Sequence, residues 1–184
     1  MFDNILHDAT SVLDVGAGSG QYGRYFLSRG AAFSYEAVDG ALNVERFTGG
    51  FVRWADLTLP LHTRRGAPAD WVLSLEVGEH LPVQYEAQFL DSLDEHNRCG
   101  VILSWAVEGQ AGKGHVNCRN NDYVIAAMER RGYTYDVAAA TAGRAAAELP
   151  WMANTFMVFR RECGDAPAEG GATAAEQPLR KALR

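Results

Sequence analysis

Cysteine is scarce in this sequence, and its spacing excludes one class of fold. The three cysteines, Cys99, Cys118 and Cys163, lie far apart and form no C-x-x-C pair. An odd number at such spacing argues against a disulfide framework. A reducing compartment is the simpler interpretation.

Long apolar runs and an excess of positive charge are also absent. No stretch approaches the ~20 apolar residues that a membrane helix needs. The opening residues, MFDNILHDAT, lack the basic start and the apolar run of a signal peptide. The net charge of −6 gives a nucleic-acid partner no help from the field of the whole protein. We therefore expect a soluble, cytoplasmic protein without a membrane partner, and we disfavour a nucleic-acid partner.

Strand-like and helix-like segments alternate along most of the chain. The length of 184 residues favours one domain, and the alternation favours a parallel sheet covered by helices on both faces. The last two strands have no long helix between them, and we expect them to pair as an antiparallel hairpin at one edge. The predicted strands are 11–15, 33–39, 51–57, 69–76, 100–105, 133–138 and 154–161, and the predicted helices are 20–30, 41–47, 82–97 and 120–132.

The composition changes after Arg161. Residues 162–184 are rich in Ala, Gly, Pro and Glu and have almost no large apolar side chains. This composition is typical of a disordered segment. We therefore predict a folded domain over residues 1–161 and a disordered tail over 162–184.

A glycine-rich turn directly follows the first strand, in the segment SVLDVGAGSGQYGRYF (11–26). It contains G-x-G-x-x-G at 18–23, a pattern typical of dinucleotide phosphates bound at a helix N-terminus. It also contains an acid followed by G-x-G-x-G at 14–20. Asp39 lies 21 residues after Gly18, so the spacing to the next acid decides nothing. A carboxylate at Asp14 would repel a phosphate, and this favours a cofactor that has none.

With these motifs the sequence strongly resembles the class I S-adenosylmethionine-dependent methyltransferases over about residues 11–161. Their first motif is an acid followed by G-x-G-x-G. Here an acid also ends the second strand (Asp39), ADL follows the third strand (55–57) and LEVGEHLP follows the fourth (75–82). The resemblance implies a three-layer α/β/α Rossmann-like fold with a seven-stranded, mostly parallel sheet of order 3-2-1-4-5-7-6. It implies S-adenosyl-L-methionine as the cofactor, lying over strands one, two and four.

The resemblance also implies the residues that bind this cofactor. Asp39 would hold the ribose hydroxyls, Asp56 would face the adenine amino group, and Glu76 would contact the cofactor. Structural alternatives stay open: the glycines can serve a tight turn, Asp39 can cap the helix over 41–47, Asp56 can belong to an ordinary turn, and Tyr22 can pack in the core. The full set is Asp14, Gly16, Ala17, Gly18, Gly20, Tyr22, Asp39, Gly40, Ala41, Asp56, Leu57 and Glu76.

A second group of polar residues follows the fourth and fifth strands. LEVGEH carries Glu76, Glu79 and His80, and the long loop 104–117 carries His115. Ligands of open α/β sheets bind at the carboxyl ends of the strands. We therefore expect these side chains to share one cleft.

Three interpretations of this group are open. In the first, Glu79, His80 and His115 are catalytic, with one histidine as the general base that takes a proton from the methyl acceptor. In the second, Glu76, Glu79, His80 and His115 bind a divalent metal, because the segment looks like the E-x-x-E-H run and later histidine of the small-RNA 3′-terminal 2′-O-methyltransferases. In the third, Glu79 and His80 cap the helix that starts near Pro82, and His115 has no chemical role.

The leading functional hypothesis is methyl transfer to an oxygen or nitrogen nucleophile of a small molecule. The alternatives are a metal-dependent RNA 2′-O-methyltransferase and a non-catalytic module that keeps the cofactor fold. A nicotinamide-dependent reductase is disfavoured because neither Lys113 nor Lys181 has a tyrosine four residues earlier. Only ten residues precede Ser11. We therefore expect an open substrate site, or one covered by a second copy, a partner or the rest of a larger protein.

Overall fold

Seven strands form one mixed sheet in the computed structural model, which describes residues 2–28 and 33–164. The order β3-β2-β1-β4-β5-β7-β6 confirms the predicted order. Strands β1 to β5 pair in parallel, and β7 runs antiparallel to both β5 and β6. The strands are β1 (Ser11–Val15), β2 (Ser34–Asp39), β3 (Arg53–Trp54), β4 (Ala69–Leu75), β5 (Asn97–Ser104), β6 (Thr134–Tyr135) and β7 (Met157–Arg160).

Helices cover both faces of this sheet, which makes the predicted three layers. Helices α3 and α4 pack on one face, and α1, α5 and α6 pack on the other. Short 3₁₀ turns lie at Phe2–Asn4, Gly78–His80 and Val83–Tyr85. Within the described residues the α-helices are α1 (Gln21–Leu27), α2 (Val44–Thr48), α3 (Glu86–Glu95), α4 (Asn121–Glu129), α5 (Val137–Ala145) and α6 (Met152–Thr155).

The central strands carry large apolar side chains on both sides because both of their faces are buried. In β4, Trp71 and Leu73 pack on the side of α1 and α6, together with Phe26. Val72 points to the opposite face and packs with Phe89 of α3. This alternation fixes the register of β4 and so fixes the height at which its carboxyl end emerges.

The segment between β6 and β7 differs from the sequence prediction. The two strands do pair in antiparallel fashion, but α5 and α6 lie between them, where no long helix was expected. Asp136 starts α5 by accepting a hydrogen bond from the Ala139 amide at 2.9 Å, and the alanine-rich run has high helix propensity. Alanines give little apolar periodicity, so the pattern does not reveal this helix.

Several elements are also shorter than predicted. Strand β3 contains two residues rather than 51–57, and β7 begins at Met157 because the preceding residues form α6. Helix α2 begins at Val44 rather than at residue 41, since Asn43 adopts a left-handed conformation with φ 65°. These residues belong to turns that the apolar pattern does not distinguish from the elements they flank.

A disulfide joins Cys99 to Cys163, which corrects the expectation drawn from the cysteine count. Cys99 lies on β5, and the neighbouring β7 brings the chain back beside it, so that the Arg161 amide donates to the Cys99 carbonyl at 2.9 Å. The two cysteines are 64 residues apart in sequence, so only the antiparallel pairing of β5 with β7 makes them neighbours. Cys118 is a free thiol.

The structure describes only the first three residues of the tail that was predicted to follow Arg161. Residues 162–164 are exposed and have no regular secondary structure. Of the predicted tail over 162–184, residues 165–184 lie outside the described residues. Among the helices that the structure describes, none has both the length and the apolar character required to cross a membrane.

The Asp70 carboxylate fastens the start of β1 to β4. It accepts hydrogen bonds from the Thr10 amide at 2.7 Å, the Thr10 hydroxyl at 2.8 Å and the Ser11 amide at 3.1 Å, and it pairs with Arg98. Burial alone would raise the pKa of Asp70, but the hydrogen bonds from Thr10 and Arg98 outweigh it and lower the pKa. The charged form is therefore the stabilising one.

We expect Asp70→Asn to lower the free energy of unfolding at pH 7 by about 2 kcal/mol, because it leaves Arg98 without its partner. The folded pKa of Asp70 lies below the unfolded value of 3.8. Its stabilisation is therefore present at neutral pH and is lost as the pH falls, so wild type and variant should converge in acid. Urea unfolding at several pH values measures this difference. Asp91→Asn breaks the more exposed pair with Arg131 and should cost below about 1 kcal/mol.

Candidate active site

The glycine turn after β1 is held against the end of β2. The amides of Gly16 and Ala17 donate to the Val38 carbonyl at 2.8 and 3.0 Å. Gly16 has φ 84° and a β-carbon there would lie 2.2 Å from Val77, so glycine is required by the close approach of the chain after β4. Gly18 has φ 54°, and no described atom lies within 4 Å of its missing β-carbon. That open space leaves its backbone accessible.

Asp39 joins this turn to the end of β2. Its two carboxylate oxygens accept from the amides of Gly18 and Ala41, each at 2.7 Å. It does not cap α2, which begins at Val44. The carboxylate is half-buried, and each oxygen keeps a free lone pair for a ligand.

A cavity of about 490 Å³ opens at the carboxyl edge of the sheet. That volume suits a small ligand or cofactor. It takes in most of the predicted cofactor set and His80, but Asp14, Ala17, Gly18, Gly20, Tyr22, Glu79 and His115 do not line it. It is lined by Gly16, Asp39, Gly40, Ala41, Leu42, Trp54, Asp56, Leu57, Glu76, Val77, His80 and Leu81.

Four lining residues were not predicted from the sequence: Leu42, Trp54, Val77 and Leu81. Two of them are unusually exposed for their type, Leu42 at 85% and Trp54 at 47%. Exposed apolar side chains beside a cavity are typical of ligand contacts. The sequence signal was available, because Trp54 ends β3 and Leu42 lies in the turn after β2.

Asp56 combines a turn with a place in the cavity wall. Its carboxylate accepts from the amide of Thr58 at 2.9 Å and from its hydroxyl at 2.6 Å. These bonds lower the pKa of Asp56. The interpretation of Asp56 as a turn residue is therefore confirmed, and its contact with adenine stays a prediction.

Asp14 lies under the glycine turn rather than in the cavity. It is buried at the end of β1 and accepts a hydrogen bond from the Tyr35 hydroxyl at 2.6 Å. Burial raises the pKa of Asp14 to about 7, against the lowering effect of that bond. Asp14 thus changes charge near neutrality and responds to any positive charge that arrives beside the turn.

Glu76 directly follows β4 and adopts a left-handed conformation, with φ 56°. Its amide donates to the Ser104 hydroxyl at 2.8 Å. Its carboxylate accepts from the Gln110 side chain at 3.1 Å and from the Thr155 hydroxyl at 3.2 Å. One side chain thus links the strand, the loop after β5 and helix α6. Strain of this kind in a non-glycine residue is common at functional sites.

The structure brings Glu79, His80 and His115 together. One ligand atom from each lies within 4.8 Å of the others, and the two imidazole rings are 5.0 Å apart. Glu79 is fully buried, and neither of its carboxylate oxygens has a hydrogen-bond partner among the described residues. Burial raises the pKa of Glu79 to about 7.

Backbone carbonyls orient both histidines. Nδ1 of His80 lies 3.2 Å from the Gly114 carbonyl, and Nδ1 of His115 lies 3.2 Å from the Gln110 carbonyl. A carbonyl only accepts, so each Nδ1 carries the proton and each Nε2 keeps a lone pair. Neither Glu79 nor His80 caps a helix, because the turn at Val83–Tyr85 and helix α3 have no side-chain cap.

Glu86 holds the loop that carries His115. Its carboxylate accepts from Asn117 at 3.0 Å, from Arg119 at 2.8 Å and from the hydroxyl of Tyr123. Burial would raise the pKa of Glu86, but these bonds lower it. The sequence gives no signal for this role, since Glu86 resembles an ordinary acid in the first turn of a helix.

Comparison with known proteins identifies the fold of this chain. No protein-family model matches the sequence, and no curated protein matches it. Magnesium protoporphyrin IX methyltransferase (ChlM) from Synechocystis, crystallised with S-adenosylhomocysteine, superposes with a TM-score of 0.61 at 14% identity, over 86% of this chain and 80% of that one. The chain has the class I methyltransferase fold.

Two further solved structures agree with this assignment. The methyltransferase domain of a bacterial CtHen1 has a TM-score of 0.60 at 17% identity, covering 88% of this chain and 94% of that one. An O-methyltransferase family protein from Burkholderia thailandensis has a TM-score of 0.61 at 14% identity, covering 88% and 53%. S-adenosylmethionine or its product is bound in the ChlM structures, so it is a cofactor of the class I methyltransferase fold.

Asp14→Asn tests the buried acid of this fold. The folded pKa, about 7, lies above the unfolded value of 3.8, so the wild type loses up to about 4 kcal/mol of stability as the pH rises through this window. The variant keeps an acceptor for Tyr35 without titrating. We therefore expect it to unfold like wild type near pH 4 and to be the more stable protein at pH 8, as measured by urea unfolding.

Glu95→Gln, which removes a carboxylate from the exposed surface of α3, is the matched control. If Asp14→Asn is less stable than wild type at pH 8, the conclusion that burial raises the pKa of Asp14 is wrong.

Proposed function

We propose that this protein is a methyltransferase that uses S-adenosylmethionine and methylates an oxygen or nitrogen atom of a small molecule. The carrying observation is the cavity at the carboxyl edge of the sheet, with Asp39 on the β2 side and Glu76 on the β4 side. Its lining is acidic and, among the described residues, contains no lysine or arginine. Such a lining suits a cofactor that carries positive charge and no phosphate.

Different residues of the cavity suit the different parts of this cofactor. Asp39, held by two backbone amides, offers free lone pairs to the ribose hydroxyls. Asp56 would accept from the adenine amino group beside Trp54. Glu76 would face the charged amino-acid end. When bound, the cofactor supplies a methyl group already activated by its sulfonium, so alignment provides much of the catalysis.

His80 is the best-placed base in this cavity. It lines the cavity and is exposed, and its Nε2 lone pair is free because Nδ1 faces the Gly114 carbonyl. It would accept the proton that the acceptor atom gives up. His115 lies beside it and Glu79 beneath it, so charge on either imidazole is balanced by a carboxylate that ionises near neutral pH.

Titration calorimetry of the full chain with S-adenosylhomocysteine tests the cofactor. We expect micromolar binding by wild type, and binding weaker by about 1–3 kcal/mol in Asp39→Ala, because the ribose loses a charged acceptor. Glu129→Ala, exposed on α4, should bind like wild type. Equal binding by Asp39→Ala would remove the ribose assignment. A wild type that does not bind the compound would instead support the non-catalytic module.

A second candidate function is favoured by one observation, the buried and unpaired carboxylate of Glu79 next to two imidazoles. This donor set suits a divalent transition metal. It corresponds to the metal-dependent RNA 2′-O-methyltransferase alternative. Glu76 fits less well as a fourth ligand, because its two oxygens already accept from Gln110 and Thr155. The net charge of −6 weighs against an RNA substrate.

Titration with Mn²⁺ after EDTA treatment tests this candidate. If the site binds metal, His115→Ala should weaken Mn²⁺ binding at least about tenfold, because it removes one of three ligands. His62→Ala removes a histidine outside the cluster and should have no effect. Failure of wild type to bind Mn²⁺, or identical binding by His115→Ala, would leave the histidines as acid–base groups only.

A further inference from the structure

A second cavity, of about 590 Å³, lies between the first turn of α1 and the segment from the end of α5 to α6. We call it the α1–α6 cavity. Seven of the residues that line it are apolar, aromatic or small: Phe2, Tyr22, Tyr25, Ala146, Ala147, Leu149 and Met152. It shares no lining residue with the cofactor cavity, although Tyr22, which was predicted from the sequence to bind the cofactor, lines it.

A hydrogen bond places α6, which borders the α1–α6 cavity, next to Glu76 of the cofactor cavity. Glu76 lines the cofactor cavity, and its carboxylate accepts from the hydroxyl of Thr155. Thr155 ends α6, the single turn that begins at Met152 and borders the second cavity. The α1–α6 cavity therefore lies on the side of the cofactor cavity where Glu76 lies.

Tyr22 also lines the α1–α6 cavity and lies near the acids of the cofactor region. Its ring packs edge-on against Phe2 with the centroids 5.6 Å apart. Burial chiefly raises the pKa of its hydroxyl, and the nearby charges of Asp14 and Glu76 raise it further. The hydroxyl therefore senses both acids of the cofactor region.

The lining indicates the shape of the occupant. Phe2 and Met152 are almost fully buried, at 7% and 5% exposed, and form a rigid apolar floor. Tyr25 and Leu149 are exposed at 42% and 44% and stand at the rim. An apolar floor with aromatic walls binds flat rings well, because ring faces and edges pack with little loss of entropy.

The charges around the α1–α6 cavity indicate the charge of the occupant. Among the described residues that line it, none is basic, and Glu148 is the charged one. The nearby arginines point elsewhere: Arg24 donates to the Ser19 carbonyl and stacks over Phe51, and Arg144 donates to the Phe156 carbonyl. An anionic occupant would therefore meet only carboxylates.

We infer that the α1–α6 cavity is the acceptor site of the proposed methyltransferase and that it binds a neutral or cationic aromatic small molecule, whose hydroxyl or amine points towards Glu76. The inference rests on the proposed function for its chemical role. The segment from the end of α5 to α6 thus supplies one wall for the acceptor.

Methyl NMR tests the site directly. The four methionines of the full chain are labelled with ¹³C at the methyl group, and 2-naphthol is the probe. We expect naphthol to shift the Met152 signal, assigned with Met152→Leu, and to leave the signal of Met128, buried on the opposite face of the sheet, unchanged. 2-Naphthoate has the same rings with a carboxylate, and should bind at least about tenfold more weakly because of the acidic surroundings.

A filling variant and a matched control sharpen the test. Ala146→Trp places a large ring in the α1–α6 cavity and should weaken naphthol binding at least about tenfold, while S-adenosylhomocysteine still binds. Ala142→Trp adds the same ring to the exposed surface of α5, away from the cavity, and should bind naphthol like wild type.

Several results would overturn the inference. Naphthol that leaves Met152 unshifted, or that binds Ala146→Trp as tightly as wild type, removes the site. Equal binding of naphthoate removes the assigned charge class. If wild type binds naphthol at Met152 but does not bind S-adenosylhomocysteine, the proposed function fails and the acceptor role falls with it. If it binds S-adenosylhomocysteine and not naphthol, the inference alone fails.

Discussion

Strand β4 is paired on both sides, and it cannot move by one residue without exchanging the side chains of its two buried faces. Leu73 is in register with Asp14 on β1 and with Ile102 on β5. A slip would exchange Trp71 and Leu73 with Val72, and the packing on both faces of the sheet would be lost. The carboxyl ends of β1, β4 and β5 are therefore fixed relative to one another. The glycine turn, Glu76 and the loop that carries His115 all begin from these fixed points.

Carboxylates outnumber cations at this edge of the sheet, and the fold reduces the repulsion between them in two ways. Asp39, Asp56 and Glu86 receive hydrogen bonds that suit the charged form. Asp14 and Glu79 are buried, and burial moves the pKa of each to about 7. A positively charged ligand would recover the energy of ionising these two groups.

The sequence predicts this structure well wherever large apolar residues recur. Strands β1, β4 and β5 and helices α1, α3 and α4 were predicted from that pattern, and the family resemblance supplied the strand order. The alanine-rich α5 could not be predicted in this way, because small side chains give little apolar periodicity. The disulfide between Cys99 and Cys163 depends on the pairing of β5 with β7, which joins residues 64 positions apart. The role of Glu86 and the α1–α6 cavity also arise from long-range contacts. Asp39 and His80 could be predicted for the site, since Asp39 ends β2 and His80 lies in the turn that comes after β4.

The left-handed backbone of Glu76 has a consequence for how the protein tolerates change. Its φ of 56° is a conformation that glycine adopts without strain and that asparagine tolerates. Selection for thermal stability alone would favour such replacements at this position. They would also cut the link between the strand, the loop after β5 and α6. Stability therefore favours glycine or asparagine at this position, whereas the contacts of the side chain favour glutamate. A thermally stabilised variant that keeps glutamate here would show that the contacts, and not the backbone strain, decide which residue is retained.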